Sequence, residues 1–194
     1  MTIHDFFDYL FRYIRQQSRG VSIETLFLTW LIGIVLIHLI CMIISRISGR
    51  KYSWYKEVIW FLIAGYFCFG CQITLFRRES GSRGIIYTTF DFGSLTGGFY
   101  SRQQFFYSLL NVFFFIPWGV LWGINRWKDG GFQRILMVTS YSFLTSFSIE
   151  VAQLLTGRGF FEVGDLVTNV TGGFIGSIIA CLLIFVVNKS KKHV

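Results

Sequence analysis

The sequence predicts an all-α fold: a polytopic membrane helix bundle of about five transmembrane helices, plus an N-terminal interfacial amphipathic helix. Hydrophobic residues make up 53% of the 194 residues and charged residues 14%, whereas a soluble domain carries roughly 25% charged residues. The apolar residues are also grouped in runs of about 20, the length that crosses a hydrocarbon core. One membrane domain, without a separate soluble domain, is therefore expected.

We divide the chain into three parts. Residues 1–22 form the amphipathic helix, residues 23–187 the transmembrane domain and residues 188–194 a basic cytoplasmic tail. The first part places apolar residues at helical spacing between Asp and Arg residues, so it is too charged to span and is expected to lie in the interface plane. The alternative is that this helix packs on a partner protein or a neighbouring subunit.

Five apolar runs predict the spans. His38 in the first span is expected to be a hydrogen-bonded packing residue rather than a ligand. Pro117 in the third span removes a backbone donor and can kink that helix. The runs cover about residues 23–45, 58–76, 105–124, 134–155 and 166–187.

The longest connection, residues 77–104, contains few helix formers. A segment of this length without regular structure is uncommon unless it has a function. Residues 85–92 are β-branched and aromatic, and glycines follow them. Two interpretations stay open: a re-entrant or surface-lying loop that covers a site, and a partly ordered interfacial loop.

The charge distribution and the cysteine spacing argue against nucleic-acid binding and against metal or redox sites. The formal charge of +8 comes from residues beside the apolar runs, where they meet lipid headgroups, so membrane lipids and not nucleic acid are the expected partners. Cys68 and Cys71 form a CxxC without a second Cys/His pair, so neither a metal site nor a redox centre is predicted. No nucleotide fingerprint is present, and no cofactor is expected.

The distribution of Lys and Arg predicts the orientation. Ten of these residues lie in the 45–57 loop, the 125–134 loop and the tail, against eight on the other side. The positive-inside rule therefore places the C-terminus in the cytoplasm. The long loop and the 156–165 loop are then outside.

Polar residues at the end of the fourth span and the start of the fifth form the candidate site. Glu150 lies inside an apolar run, and an intramembrane ionisable residue marks a functional site by default. Glu150 and Asp165 are the candidate catalytic residues, because partial burial suits a carboxyl group to acid–base work. Arg158 could grip a phosphate or a carboxylate with its planar fork. The other candidate ligand-binding residues are Gln153, Asn169 and Asn111.

Two other features bear on this cluster. The same polar residues could instead form a purely structural lock between the last two spans. Small residues at four-residue spacing predict close helix packing at Gly119, Gly123, Gly172 and Gly176.

The segments NVFFFIPWGVLWG at 111–123 and SIEVAQLLTGRGFFEVGDLVTNVTGGFIG at 148–176 resemble the VanZ-like family of small bacterial membrane proteins. The family pattern has an Asn and a Pro-x-Gly in one span, then Glu-x-x-Gln, an Arg, and an Asp followed by Asn and Gly-x-x-x-Gly. Many members also have an apolar-Pro-Phe segment earlier, whereas this chain has TTFDFGS at 88–94. The matching residues are Asn111, Pro117, Gly119, Glu150, Gln153, Arg158, Asp165, Asn169, Gly172 and Gly176.

The resemblance implies a cell-envelope protein linked to low-level resistance to the glycopeptide teicoplanin. We expect it to engage a lipid-linked cell-wall precursor, or the glycopeptide itself, at the outer membrane face. One alternative is an intramembrane enzyme that acts on a lipid or polyprenyl phosphate with Glu150 as acid/base. The other is a small transporter or flippase.

Overall fold

The computed structural model describes residues 2–49, 54–82 and 84–191. Within these residues, five helices are long and apolar enough to cross a membrane, which confirms the prediction of an all-α polytopic bundle. The elements in chain order are α1 (Ile3–Ser18), α2 (Ile23–Ser48), α3 (Trp54–Cys71), a π-helical turn (Gln72–Phe76), β1 (Ile86–Tyr87), α4 (Phe99–Asn125), α5 (Gly131–Thr156), β2 (Phe161–Glu162) and α6 (Val163–Ser190).

The helix α1 packs on α4 of the same chain. A capping box starts it: the Thr2 hydroxyl accepts a hydrogen bond from the Asp5 backbone N–H at 3.1 Å, and the Thr2 N–H donates to the Asp5 carboxylate at 2.8 Å. Tyr13 is buried and stacks on Phe106 with ring centroids 5.4 Å apart. One side of this amphipathic helix, which carries Tyr13, thus packs on its own bundle, whereas Phe7 and Phe11 are exposed.

Two helices begin earlier than their apolar runs suggest. α4 starts at Phe99, six residues before the predicted position, and α3 starts at Trp54. Residues 99–104, FYSRQQ, include good helix formers that continue α4 beyond the apolar run. Hydropathy marks only the part of a helix that fits hydrocarbon, so it underestimates a helix that extends to the surface.

Glycines bring α4 and α6 into close contact. A Cβ atom added to Gly172 would overlap the Val112 carbonyl oxygen, and one added to Gly176 would overlap that of Ile116. Small residues allow backbones to approach in this way. Gly119 likewise faces the backbone of α6 at Gly173.

The helices α3 and α5 pack on the α4–α6 pair through a cluster of buried side chains. Gly123 faces Ala180 near the other end of the α4–α6 contact. The buried cluster comprises Ile59, Ile63, Phe115, Trp118 and Ile149.

The helix α2 lies at the edge of the bundle and packs chiefly against α3. No described side chain of α2 is buried. His38 on α2 forms a hydrogen-bonded ion pair with Glu57 on α3, and the Glu57 side chain is 7% exposed against 48% for His38. Burial of Glu57 within α3 was not expected, because the sequence places it in a basic loop.

The bundle has two ends, which we name by what they carry. The site face carries the 77–98 loop and the connection from residue 157 to residue 162, and the tail face carries the 126–130 turn and Lys191. α3 and α5 end at the site face, and α4 and α6 begin there. The polar cluster predicted from sequence lies at this face.

Candidate functional site

The site forms where α5 ends and α6 begins. Gly157 caps α5 in the left-handed conformation, with φ 63°, and turns the chain towards the six-residue connection 157–162. Glu150, two turns before this cap, is 2% exposed. Its Oε2 accepts a hydrogen bond from the Glu162 backbone N–H at 2.9 Å. The buried carboxylate therefore receives a donor from the chain that returns beside it.

Two amide side chains connect α6 to its neighbours. The Asn111 side chain on α4 lies beside the Asp165 carboxyl group. One turn further along α6, Asn169 Nδ2 donates to Ser146 Oγ on α5 at 2.9 Å, and both of these residues are buried. Four of the sequence-predicted residues, Glu150, Asp165, Asn111 and Asn169, thus lie on the mutually packed faces of α4, α5 and α6.

Gln153 and Arg158 point away from these groups and towards the π-helical turn. Gln153 Nε2 donates to the Thr74 carbonyl at 3.1 Å, and Arg158 Nη1 donates to the Leu75 carbonyl at 3.4 Å. The end of a helix leaves carbonyl groups without intrahelical donors. In this structure, Gln153 supplies a donor for the Thr74 carbonyl from 79 residues away. Arg158, 83 residues away, adds a donor to the Leu75 carbonyl, which also accepts from the Arg78 backbone N–H.

Arg78 is a site residue that sequence reasoning missed. Its Nη1 lies over Gly159, 2.8 Å from where a Cβ would be. Its positive charge acts on Glu150, Glu162 and Asp165. In the sequence, Arg78 is notable only as one of two adjacent arginines. Its approach to Gly159 depends on contacts between distant segments, which the sequence pattern does not show.

Glu162 is the third carboxylate of the site and was also missed. Burial raises the pKa of the Glu162 carboxyl, and the nearby Arg78 charge opposes that rise. Glu162 and Asp165 both interact electrostatically with Glu150. Among the described residues, neither Arg78 nor Arg158 forms a salt bridge. The Arg78 guanidinium thus remains available beside three clustered carboxyl groups, whereas Arg158 donates to the Leu75 carbonyl.

The 77–98 loop packs over the connection between α5 and α6. The backbone N–H groups of Gly81 and Ser82 both donate to the Gly157 carbonyl at 2.8 Å, and Ser82 Oγ donates to the Gly159 carbonyl at 2.5 Å. β1 pairs in parallel with β2, which aligns Ile86 with Phe161. The loop therefore covers the connection between α5 and α6.

For the part of the chain that the structure describes, no group of three or more His, Cys, Asp or Glu side chains is placed to hold a metal ion. The chemistry of the cluster rests on carboxyl, amide and guanidinium groups. Such groups can bind an anion, exchange a proton or lock helices together.

Comparison with known proteins identifies the family. The VanZ/LLP1 family model matches residues 58–185, a range that holds every residue of the cluster. The chain belongs to the VanZ/LLP1 family. This confirms the resemblance seen in the spans that carry Asn111, Glu150 and Asp165. With its five apolar helices, it is a multi-pass membrane protein.

One curated relative of the family is protein VanZ of Enterococcus faecium, which is 35% identical over 66 residues. That match covers 34% of this chain and 38% of the relative, so it spans well under half of either protein. No solved structure matches the chain.

Proposed function

We propose that this protein modifies the response of the bacterial envelope to teicoplanin by binding the phosphate groups of a lipid-linked cell-wall precursor at its site face. Family membership supports the coarser part, a membrane protein of the kind associated with teicoplanin resistance. The ligand and the orientation, with the site face outside, are the finer parts of the proposal.

One observation carries the choice of ligand. Arg78 lies at the surface end of the bundle beside three carboxyl groups, yet it forms no salt bridge among the described residues. A fixed donor, the Glu162 N–H, already holds the Glu150 carboxyl group, and the Asn111 side chain lies beside Asp165. A guanidinium fork that is not committed to a carboxylate can accept a phosphate with two parallel hydrogen bonds.

The position of the arginines suits a lipid-linked phosphate. Arg78 and Arg158 both follow the end of an apolar helix, at the level where a membrane-bound polyprenyl chain joins its phosphate. The exposed apolar surfaces of the neighbouring helices could accommodate the chain. Both a pyrophosphate and a polyprenyl tail would then contact the protein.

A binding experiment tests the ligand. Purified protein in detergent is titrated with undecaprenyl pyrophosphate and with undecaprenol, which lacks phosphate. We expect binding of the pyrophosphate only, and a roughly tenfold loss for Arg78→Gln, since a charge-assisted contact is removed. Arg15→Gln is the matched control, because Arg15 is an exposed arginine of α1. Equal binding of both lipids would refute the phosphate as the recognised group.

A susceptibility assay tests the function. A teicoplanin-sensitive host expresses wild type, Arg78→Gln or Arg15→Gln at matched protein levels. We expect wild type and Arg15→Gln to raise the inhibitory concentration of teicoplanin, and Arg78→Gln to raise it less. Unchanged sensitivity with wild type would contradict a role in resistance. Direct binding of labelled teicoplanin without the lipid would instead identify the glycopeptide as the ligand.

A second candidate function, hydrolysis of a polyprenyl phosphate, is favoured by the buried and fixed carboxylate of Glu150. In this reaction Glu150 accepts a proton from water as the water oxygen attacks phosphorus and the bond between phosphorus and the polyprenyl oxygen breaks. The proton held by Glu150 then passes to that oxygen, which leaves as polyprenol. Arg78 would hold the phosphate, and Asp165 would orient the water.

Lipid analysis distinguishes the enzyme from the binder. Mass spectrometry compares envelope lipids in a null strain and in strains expressing wild type, Glu150→Gln or Glu79→Gln. Glu79 is the control, since it is an exposed carboxylate of the covering loop. A lipid that changes with wild type and Glu79→Gln but not with Glu150→Gln would support the enzyme. No change in any lipid would count against it.

A further inference from the structure

A large cavity opens at the tail face, at the opposite end of the bundle from the carboxylate cluster. Its volume is about 1020 Å³, near the upper end of the roughly 300–1,000 Å³ usual for ligand pockets. α2 and α3 form its sides, and the turn between α4 and α5 and the end of α6 close it. The cavity thus lies between the α2–α3 pair and the turn that joins α4 to α5.

Apolar and aromatic side chains form much of the cavity wall, beside the hydroxyl groups of Ser45 and Ser48. Cys41 and Ile44 of α2 and Ile59 of α3 lie within helices that can span the membrane. Trp60 and Trp127 add aromatic surface. A cavity with such walls at this depth would be filled by hydrocarbon rather than by water.

The rim of the cavity is cationic. Lys56, Lys128 and Lys191 line it and are exposed. No carboxylate lies within salt-bridge distance of these three lysines in the described residues. Arg126 also lines the cavity, but its Nε donates to the Asp129 carboxylate at 2.5 Å. The lysines are thus the cations left for a ligand.

We propose that this cavity binds an anionic phospholipid of the adjoining leaflet, with its phosphate headgroup among the three lysines and an acyl chain along the apolar wall. Basic pockets between transmembrane helices select anionic headgroups through charge. The apolar wall favours a lipid over a soluble phosphate, because a soluble phosphate would leave that wall empty. Lys191 Nζ also lies 5.9 Å from the Trp127 ring centroid, which holds this cation at the rim.

Native mass spectrometry of the full-length protein in detergent tests the proposal. The protein is incubated with equal amounts of phosphatidylglycerol and phosphatidylcholine that have identical acyl chains. We expect wild type to retain phosphatidylglycerol roughly tenfold or more over phosphatidylcholine, since several lysines near one headgroup act together. Equal retention of the two lipids would overturn the proposal.

Two sets of variants separate the cavity from general surface charge. Lys56→Gln, Lys128→Gln and Lys191→Gln combined should abolish the preference. The matched control combines Arg12→Gln, Arg15→Gln and Arg19→Gln, which removes the same charge from exposed residues of the site face. An equal loss in both sets would show attraction by net charge alone and overturn the cavity as the binding site.

A third variant tests the apolar wall. Cys41→Trp fills the inner cavity while keeping every lysine, and it should lower phosphatidylglycerol retention where Cys41→Ala does not. Ile44→Trp replaces it if Cys41→Trp does not fold. Full retention in a folded Trp variant would place the lipid elsewhere. Displacement of phosphatidylglycerol by millimolar glycerol 3-phosphate would assign the site to a soluble phosphate instead.

Discussion

The Glu150 carboxylate and the Glu162 backbone N–H form a 2.9 Å hydrogen bond that closes the connection between α5 and α6. Two acidic residues are thus joined by a donor that carries no charge. The contact fixes the Glu150 side chain and satisfies a backbone group at the entry to α6 at the same time. Whether Glu150 acts as a structural or as a chemical group, this hydrogen bond therefore takes part in its role.

Replacing Glu150 should separate these roles. We expect Glu150→Leu to lower stability by about 1–3 kcal/mol, because the half-buried Glu162 N–H loses its acceptor. Glu150→Gln keeps an acceptor oxygen and should remain close to wild type. Thermal unfolding in detergent measures both, and equal midpoints for the Leu and Gln variants would contradict a structural contribution.

The contact between α4 and α6 should not tolerate even a methyl group. Gly172→Ala and Gly176→Ala are expected to destabilise the protein by about 1–3 kcal/mol, because each Cβ overlaps a carbonyl oxygen of α4. Gly33→Ala is the control, since nothing lies within 4 Å of a Cβ at that position of α2. Folded yield and unfolding temperature report the difference. Similar losses at all three positions would show that the α4–α6 approach is not the cause.

Glu162 should make stability depend on pH. Burial raises the pKa of its carboxyl above the ordinary 4.5. The folded state therefore holds this proton more tightly than the unfolded state. This contribution to stability is present at low pH and is lost as the pH rises from about 4.5 through the raised pKa.

Unfolding temperatures across this pH range test that expectation. Glu162→Gln should remove part of the decline. Arg78→Gln should steepen it, because the Arg78 charge holds the pKa of Glu162 down. Parallel pH curves for Glu162→Gln and wild type would refute the contribution.

In the pair between His38 on α2 and Glu57 on α3, replacing His38 alone should cost more stability than replacing both residues. His38→Leu leaves the buried Glu57 carboxyl without the His38 ring, and we expect a loss of about 1–2 kcal/mol, reduced because that ring is half exposed. Glu57→Leu together with His38→Leu should recover part of the loss, since an apolar pair suits this depth. A double-mutant cycle of unfolding free energies measures the coupling, and a value near zero would show that the pair is energetically silent.

The orientation of the bundle is open to a direct labelling experiment. We expect Glu79→Cys, on the site face, to react with a membrane-impermeant maleimide in intact cells. Lys128→Cys, on the tail face, should react only after permeabilisation. The reverse pattern would place the C-terminus outside and remove the basis for an external ligand site.

The sequence predicted those parts of the fold that depend on local composition. Apolar runs identified five spans because hydrocarbon thickness sets their length. Polar side chains within apolar runs identified Asn111, Glu150, Asp165 and Asn169, which the structure brings together on three packed helices. Each of these positions belongs to a pattern that is visible within one or two helices.

Contacts between distant segments could not be predicted in the same way. Arg78 reaches Gly159 only because the 77–98 loop folds back over the connection after α5. Glu57 is buried and contacts a histidine 19 residues away, although the neighbouring Lys56 indicates a surface loop. Neither helical periodicity nor hydropathy contains this information, because both describe a segment by itself.

The π-helical turn at the end of α3 has a consequence for how the protein is made. Its carbonyl groups at Thr74 and Leu75 receive donors from Gln153 and Arg158, which are synthesised long after α3. The Leu75 carbonyl also has a local donor in the Arg78 backbone N–H. The two side-chain donors exist only after the last helical hairpin has been made, so these contacts of the site face can form only late in synthesis.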